Sequence, residues 1–436
     1  MPSLRKRALT GLMWVFAGEW THYALRLGGN LILTRLLFPE AFGLMSLVQV
    51  FLMGLEMFSD IGIVPSIIQN KRGDDPEFLN TAWTIQVSRG FLLWIFSCLI
   101  ALPAANFYKE PMLVQLLPVS GTTALIAGFK STKLATANRK LALGRLTILE
   151  LGTYALGLMV TILWAWIFPS VWALVGGGIV TVLVETILSH LFLEGVPNRF
   201  CWNPEAFRSL QQFGRWIFVS TALTFLAGQG DRLLLGRLMD VHFLGIYTIA
   251  ITLARLVNQL IMKLGDKVLF PSYSEIFRER PEELRSVLRK TRLGLIGTAW
   301  CASLFLIMFG DKLIELLYDD RYKAAGWMLQ LLSIDTLVGI LALTYDNVLL
   351  ALGKSSLITV FLVLQIAIQT SAMLFGNQVA GQQGVLLGLS FLGWMLYPLK
   401  AIFLYRISIW QPEVDIPIIL VAIAVTFIFF IGLFPH

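Results

Sequence analysis

Four polar residues interrupt the first long apolar stretch of the chain. Glu19, His22, Arg26 and Asn30 follow one another at spacings of three, four and four residues, which places them on one face of a helix. An ionisable group inside a membrane span costs about 2.5–3.5 kcal/mol on insertion scales, so it usually faces a partner or a wet cavity. The stripe therefore indicates a cavity-lining face. The alternative is an internal Glu19–His22–Arg26 network that only fixes helix packing.

Arginines in later apolar stretches have the chemistry of phosphate recognition. Arg255 is near the middle of a predicted span, and a planar guanidinium can form two parallel hydrogen bonds to phosphate oxygens. The alternative for Arg255 is a structural ion pair with Asp231 or Asp335. Arg232 is a second candidate for the same cavity. Arg89 is a third, although it lies closer to the end of its span, from which a long side chain can snorkel to the membrane interface.

Carboxylates and glutamines inside spans suggest two further roles. Glu56 and Asp60 are four residues apart, share a helical face and can hold a proton or a sodium ion. Capping, or pairing with a basic neighbour, is the alternative. Asp231 is the third candidate for ion coupling. Gln365 and Gln369 also share a face and can hydrogen-bond sugars, or else bond between helices.

The composition identifies lipid as the solvent for most of this surface. The 436-residue chain is 57% hydrophobic and 14% charged, with a mean hydropathy of +0.74, whereas soluble domains have about 25% charged residues. The net charge of +7 is explained by basic loops on one side of the membrane, so nucleic acid is not expected as a partner. The sequence has no Walker A loop, zinc motif or nucleophile elbow, so we expect no metal, cofactor or enzymatic activity.

The apolar runs predict an all-α multi-pass membrane protein with about 12–14 spans. We place thirteen, at roughly 8–36, 42–68, 81–105, 112–137, 144–168, 171–194, 211–236, 243–268, 291–317, 325–351, 356–377, 384–407 and 415–434.

The first twelve spans divide into two lobes. Residues 1–194 form an N-terminal six-helix lobe, and 211–410 form a C-terminal one. A cytoplasmic linker, 195–210, joins them. It is either a plain linker or carries a short amphipathic helix at the membrane surface. Residues 411–436 form an additional transmembrane helix without a partner in the other lobe.

A stretch that occurs twice indicates that the lobes are copies of one unit. Four pairs of residues match at one offset of 202 (237 − 35), and a Leu-Ala-Leu-Gly echo at 141–144 and 350–353 adds an offset of 209 (350 − 141). Since six is an even number, the second copy enters the membrane in the same sense as the first, which predicts a parallel repeat. The pairs are Arg35 with Arg237, Gly43 with Gly245, Trp14 with Trp216 and Phe16 with Phe218.

Loose motifs along nearly the whole chain carry a likeness to a known family. They are Phe42-Gly43-Leu44, Asp60-Ile61-Gly62-Ile63 with Ile67-Ile68-Gln69, Asp231 to Leu235, Leu244-Gly245-Ile246-Tyr247, Tyr322-Lys323-Ala324-Ala325 and Leu350-Ala351-Leu352-Gly353. With these motifs the chain resembles the Wzx-like polysaccharide-transport (O-antigen) flippases of the multidrug/oligosaccharidyl-lipid/polysaccharide (MOP) exporter superfamily.

The resemblance implies two six-helix lobes around a central cavity that opens to one side of the membrane at a time. It implies a flippase of the bacterial inner membrane that moves an undecaprenyl-pyrophosphate-linked oligosaccharide from the cytoplasmic to the outer leaflet for polysaccharide export. Implied partners are that substrate, membrane lipids, a polysaccharide polymerase and glycosyltransferases. On this interpretation Arg26 and Arg255, one from each lobe, bind the pyrophosphate.

Two other function classes fit parts of the sequence. A cation-coupled multidrug exporter of the same fold needs an apolar cavity with a few acids, whereas a pyrophosphate carrier needs cations. Arg26, Arg89 and Arg255 favour the carrier. A membrane glycosyltransferase or polysaccharide polymerase is expected to carry a large outer loop with catalytic residues, and the outer loops predicted here are all short.

Basic residues concentrate in alternate loops, which predicts that the N-terminus and the loops around residues 75, 139 and 280 are cytoplasmic. In a variant without native cysteines, an Arg280→Cys substitution should therefore react with an impermeant thiol reagent only after the cells are opened. Labelling at this position in intact cells would contradict the predicted orientation.

Overall fold

The fold is helical, as the apolar runs predict. The computed structural model describes residues 4–60, 62–214, 217–265 and 269–433, and these ranges contain helices and no strand. Ile61 of the quoted motifs and Trp216 of the repeat lie outside them. The predicted all-α fold class is confirmed.

The helices of the first half, in chain order, are α1 (Leu4–Leu36), α2 (Pro39–Phe58), α3 (Ile63–Gln69), α4 (Pro76–Tyr108), α5 (Leu113–Gly128), α6 (Lys133–Arg139), α7 (Leu143–Ile167), α8 (Val171–Leu191) and α9 (Pro204–Gly214). Those that follow are α10 (Ile217–Leu238), α11 (Val241–Ala254), α12 (Leu256–Leu264), α13 (Phe270–Glu279), α14 (Leu284–Leu317), α15 (Ala325–Leu343), α16 (Asp346–Ala351), α17 (Ser355–Ser390), α18 (Leu392–Arg406) and α19 (Pro412–Leu433).

Each predicted span coincides with a helix or with consecutive helices. By length and composition, eight helices in the described ranges can cross a membrane, or up to ten if two bent pairs count as single spans. α1 and α10 are not among them, because polar residues lower their hydropathy. The 52-residue segment Ser355–Arg406 counts once, yet at about 1.5 Å per residue it is long enough for two crossings. It turns at Gly381, whose φ of 56° is left-handed.

The second and fourth spans of each half are broken helices. The breaks separate α2 from α3, α5 from α6, α11 from α12 and α15 from α16. α5 and α6 meet at 58°, and α11 and α12 meet at 43°. The spans predicted at 42–68, 112–137 and 243–268 are thus each divided between two helices, whereas the span predicted at 325–351 coincides with Ala325–Ala351, which qualifies as one span. Each break leaves carbonyl groups without an intrahelical donor, and within lipid another side chain must bond them.

The repeated stretch forms the same turn with different residues. In the first copy Pro39 opens α2, where its missing N–H would have had no partner in the helix. In the second copy the carboxylate of Asp240 caps α11 by accepting a hydrogen bond from the Phe243 N–H at 2.8 Å.

Beyond this turn the structure corrects the alignment of the repeat. α5 and α15 begin 212 residues apart (325 − 113), as do α7 and α17 (355 − 143). The left-handed residues after α6 and α16 are Leu141 and Gly353, which are also 212 apart (353 − 141). The Leu-Ala-Leu-Gly echo at 209 is therefore three residues out of register, because leucine-rich helices match one another by composition.

The last helix has a counterpart in the first half. Trp202-Asn203-Pro204-Glu205 and Trp410-Gln411-Pro412-Glu413 match at an offset of 208 (412 − 204), and their prolines begin α9 and α19. α9 packs on α4 and α3, whereas α19 packs on α15 and α14. The two helices thus begin at the same motif, and the assignment of 411–436 as an additional transmembrane helix stays a prediction.

The chain divides into two compact units, Met1–Phe225 and Leu226–His436. In the first unit α9 shows that the linker region contains a helix. Its Ala206 and Leu210 are buried in one cluster with Ile67 of α3 and Phe78 of α4. The domain boundaries proposed from the sequence stay a prediction.

A buried ion pair ties α19 to the second unit. Arg292 of α14 and Asp415 of α19 are both fully buried, with Nη2 and Oδ1 2.7 Å apart. The hydroxyls of Tyr345 and Tyr397 donate to Asp415 Oδ2 at 2.9 and 2.6 Å. Arg292 Nε donates to Thr344 Oγ1 at 3.0 Å, directly at the α15/α16 break. The pair therefore connects α19 to α14 and also holds the end of α15, where that span breaks.

Arg292→Ala is expected to lower the free energy of unfolding by about 3–5 kcal/mol, because it leaves Asp415 buried without its counter-charge. Arg285→Ala on the same helix is the matched control. Arg285 pairs with Glu413 at 3.3 Å, but both side chains are exposed, so the expected loss is below about 1 kcal/mol. Chemical denaturation in detergent micelles compares the two variants, and equal losses would contradict the role given to the buried pair.

Candidate functional site

The polar stripe of the first span lies on α1, which packs against α7 in the first unit. The centroids of the His22 and Tyr154 rings are 4.3 Å apart. Glu19, His22 and Asn30 are half-buried, whereas Arg26 is exposed. Among the described residues, no carboxylate lies within ion-pairing distance of the Arg26 guanidinium. The stripe thus keeps one forked cation available to a ligand.

The first unit also contains a cavity of about 520 Å³ at the α2/α3 break. α2 to α6 all contribute to its walls, which are partly apolar and partly polar. No stripe residue is among the described residues that line it. The charged and amide residues of the lining are Glu56, Asp60, Gln86, Arg89 and Lys130.

Arg89 closes the end of α2 at this cavity. Its Nε donates to Ser59 Oγ at 2.9 Å and its Nη2 donates to the Glu56 carbonyl at 2.6 Å. These bonds satisfy a helix end that would otherwise be unpaired in the membrane. The sequence favoured snorkelling for Arg89, and the structure instead gives it a capping position in the cavity wall.

Gln86 bonds the free carbonyls at the α5/α6 break, a role that was not predicted from the sequence. Its Nε2 donates to the carbonyls of Ala127, Gly128 and Lys130 at 3.2, 3.1 and 3.1 Å. Lys130 Nζ pairs with Glu185 at 2.7 Å. The only sequence signal for this role is an amide inside an otherwise apolar span, and it does not identify carbonyls more than 40 residues away.

Glu56 and Asp60 differ in what they contact. The Asp60 carboxylate accepts the Gly62 N–H at 2.9 Å, next to the left-handed turn at Gly62 (φ 68°) that separates α2 from α3. The Glu56 side chain is exposed to the cavity. The described part of the chain has no cluster of side chains that would hold a metal ion. A role of either carboxylate in ion coupling stays a prediction.

The second unit contains a buried carboxylate with a full set of partners. Asp231 of α10 is fully buried and pairs with Arg255 Nη2 at 3.0 Å. The Tyr247 hydroxyl donates to Asp231 Oδ2 at 2.6 Å, and the Arg232 N–H donates to Oδ1 at 2.8 Å. Of the two interpretations of Arg255, the structural ion pair with Asp231 is thus formed.

Arg255 nevertheless retains donors for a ligand. It is the residue at which α11 breaks into α12. Its Nη1 donates to the Gly228 carbonyl at 3.3 Å, and its side chain is 35% exposed. A guanidinium has five N–H donors, and the two contacts described here leave the others for an anion. Asp335, the second carboxylate predicted near Arg255, accepts a hydrogen bond from the Gly393 N–H.

The remaining candidates lie on α10 and α17 of the same unit. Arg232 Nη1 donates to Gln229 Oε1 at 2.9 Å, and Gln365 Nε2 donates to the Ala227 carbonyl at 3.2 Å. Gln369 is buried, and neither of its amide atoms has a hydrogen-bond partner in the described residues. Gln365 therefore bonds between helices, and sugar binding by these residues stays a prediction.

The chain is similar to a known protein family and to a known bacterial protein. The model of a family described as "polysaccharide biosynthesis protein" matches residues 32–326. The lipopolysaccharide biosynthesis protein WzxC of Escherichia coli (strain K12) is 23% identical over 393 residues, which cover 88% of this chain and 78% of that protein.

Two solved structures show the same fold. An inward-facing multidrug resistance MATE family transporter of the MOP superfamily superposes with a TM-score of 0.70 at 14% identity, covering 88% of this chain and 94% of the other. The lipid II flippase MurJ in an inward closed conformation gives 0.65 at 11% identity, covering 97% and 93%. Identities this low establish the fold alone.

Tyr247→Phe is expected to lower the free energy of unfolding by about 1.5–3 kcal/mol, because it removes a hydrogen bond to a buried charge. Tyr405→Phe is the matched control, since Tyr405 is 71% exposed and the change leaves its ring contacts in place. Chemical denaturation in micelles compares the two variants. A Tyr247→Phe variant as stable as the control would show that the Tyr247–Asp231 bond does not contribute to stability.

Proposed function

The chain belongs to the family of polysaccharide biosynthesis proteins, and we propose that it flips a lipid-linked oligosaccharide across the bacterial inner membrane. The substrate is an undecaprenyl-pyrophosphate-linked oligosaccharide, moved from the cytoplasmic to the outer leaflet by alternating access. Its synthesis and use bring glycosyltransferases and a polysaccharide polymerase into the same pathway. The N-terminus is on the cytoplasmic side in this proposal.

Family membership and the MOP fold confirm the resemblance to Wzx-like flippases. The chain is a multi-pass membrane transport protein of polysaccharide biosynthesis. A lipid-linked cargo is supported by one structural neighbour, which is a lipid II flippase, and by the cationic chemistry of the spans.

Arg26 carries the proposal for the pyrophosphate. It lies ten residues (36 − 26) before the end of the 33-residue helix α1, or about 15 Å, which is half the thickness of the hydrocarbon core. An exposed guanidinium at that depth needs an anion or water. A pyrophosphate provides several oxygens in the geometry that a guanidinium fork binds.

Arg255 is proposed to bind pyrophosphate with the donors that Asp231 leaves free. The ion pair fixes the guanidinium in one orientation and reduces the entropy that a flexible side chain would lose on binding. A phosphate ligand there would share Arg255 with Asp231. Substitution of Arg255 removes both interactions, so Arg26 gives the cleaner test.

Arg26→Gln is expected to insert and fold normally and to lose most export in a strain that lacks its own flippase, because the amide keeps the polarity of the site but not the charge. Arg26→Lys should lose less, since it keeps the charge without the fork. Arg278→Gln on α13, exposed and outside the predicted spans, is the control and should export normally. The measurements are membrane level, surface polysaccharide and accumulated lipid-linked oligosaccharide. An Arg26→Gln variant that exports at the unmodified level would overturn the role of Arg26.

A further inference from the structure

Residues 199–208, here called the aromatic strap, are fixed along the first turns of α4. The backbone N–H groups of Arg199, Cys201 and Asn203 donate to Asn80 Oδ1, Thr84 Oγ1 and Thr81 Oγ1 at 2.9, 3.0 and 3.1 Å respectively. Three bonds at alternate residues hold the chain extended against the helix. The strap is therefore a built surface and not a loose connection between spans.

The strap presents two large aromatic side chains outwards. Phe200 is 68% exposed and Trp202 is 57% exposed. The ring centroids of Phe200 and Trp83 are 4.8 Å apart, and those of Trp202 and Phe207 are 4.9 Å apart. Exposed rings are common along the spans of this chain, where lipid can cover them, so the position of the strap decides what covers these two.

The same motif in the second unit is covered by protein. Trp410 is only half-exposed, and its Nε1 donates to the Tyr397 hydroxyl at 3.0 Å. Trp202 occupies the corresponding position, and its indole N–H has no partner in the described residues. The two copies therefore differ in what covers the tryptophan.

The position of the strap along α4 identifies what covers it. Two charged residues, Lys109 and Glu110, follow α4 and are expected in water beyond the membrane, because charges inside a span are costly. Trp83, against which Phe200 packs, is 25 residues (108 − 83) from Tyr108, or about 37 Å at 1.5 Å per residue. The hydrocarbon core is about 30 Å thick, and about 40–45 Å with both headgroup layers. Trp83 thus lies about 5–7 Å beyond the core, allowing for a tilt of about 20°.

The charges around the strap suit a headgroup layer. Arg199 and Arg208 are exposed at its two ends. Of the acids nearby, Glu205 lies 3.8 Å from Arg72, and Asp75 is hydrogen-bonded to the same arginine at 2.8 Å. That bond holds the pKa of Asp75 below its usual value, so the carboxylate stays ionised. Glu77 accepts a hydrogen bond from Asn203. The two strap arginines remain available for lipid phosphates.

We propose that the aromatic strap is an interfacial anchor, in which Phe200 and Trp202 insert into the phospholipid headgroup layer and Arg199 and Arg208 bind lipid phosphates. Amphipathic rings such as tryptophan are favoured at this depth, where the apolar ring meets the acyl boundary and the N–H stays wet. The anchor places the connection between the two repeats at the membrane surface.

The test is spin labelling in the full-length protein after replacing Cys98, Cys201 and Cys301. Labels at Trp202→Cys, Glu205→Cys and Trp410→Cys are compared in phospholipid vesicles by collision with oxygen, which enters the bilayer, and with a nickel chelate, which stays in water. Glu205 is the matched control on the same strap, because its side chain is 85% exposed and polar. The oxygen-to-nickel ratio is expected to be several-fold higher at 202 than at 205.

Two results would overturn the proposal. Equal nickel accessibility at 202 and 205 would place the strap in water. A label at 202 shielded from both reagents, as expected for the packed site 410, would mean that another protein surface covers it. A second readout is independent of the label: Arg199→Gln with Arg208→Gln should move the label at 202 towards water, and an unchanged ratio would remove the arginines from the anchor.

Discussion

A helix that breaks within or at the edge of a membrane leaves backbone groups that lipid cannot bond, and this constraint governs where the protein uses its polar side chains. Arg89 and Gln86 bond the carbonyls at the breaks of the first unit. Arg292 bonds the last turn of α15 in the second. Residues that look like candidates for chemistry are therefore first of all substitutes for missing backbone donors. What remains after this assignment, above all Arg26 and the free side of Arg255, is available to a ligand.

The sequence predicts the helices well and the breaks poorly, for a physical reason. Length and hydropathy alone fix where a span must be, since the hydrocarbon core has one thickness. A break depends instead on donors from distant parts of the chain. Gln86 reaches carbonyls more than 40 residues later, and Arg292 reaches Asp415 after 123 residues. The local pattern near residues 129 or 344 does not distinguish a break held by such a partner from an uninterrupted helix.

In the candidate site, too, local spacing predicts some features, whereas others depend on contacts between distant residues. Spacing predicted that Glu56 and Asp60 share a face, and both line one cavity. The sequence could not decide between a ligand role and an ion pair for Arg255. Its partner Asp231 is 24 residues away in sequence (255 − 231), and only the fold brings the two side chains within 3.0 Å. For Arg26 the described residues contain no carboxylate partner, so the alternative of an ion pair with Glu19 is not formed. The Gln365 amide donates a hydrogen bond to the Ala227 carbonyl of α10.

The match between Trp202-Asn203-Pro204-Glu205 and Trp410-Gln411-Pro412-Glu413 shows what a short motif specifies and what it leaves open. In both places the proline begins a helix, because its missing N–H has no intrahelical partner in the first turn. The residues after the proline then decide the character of the helix. α9 has 11 residues and mixes charged with apolar side chains, whereas the segment Pro412–Ile431 of α19 is apolar and long enough to cross a membrane. One start signal therefore opens a short amphipathic helix in one unit and an apolar helix of spanning length in the other.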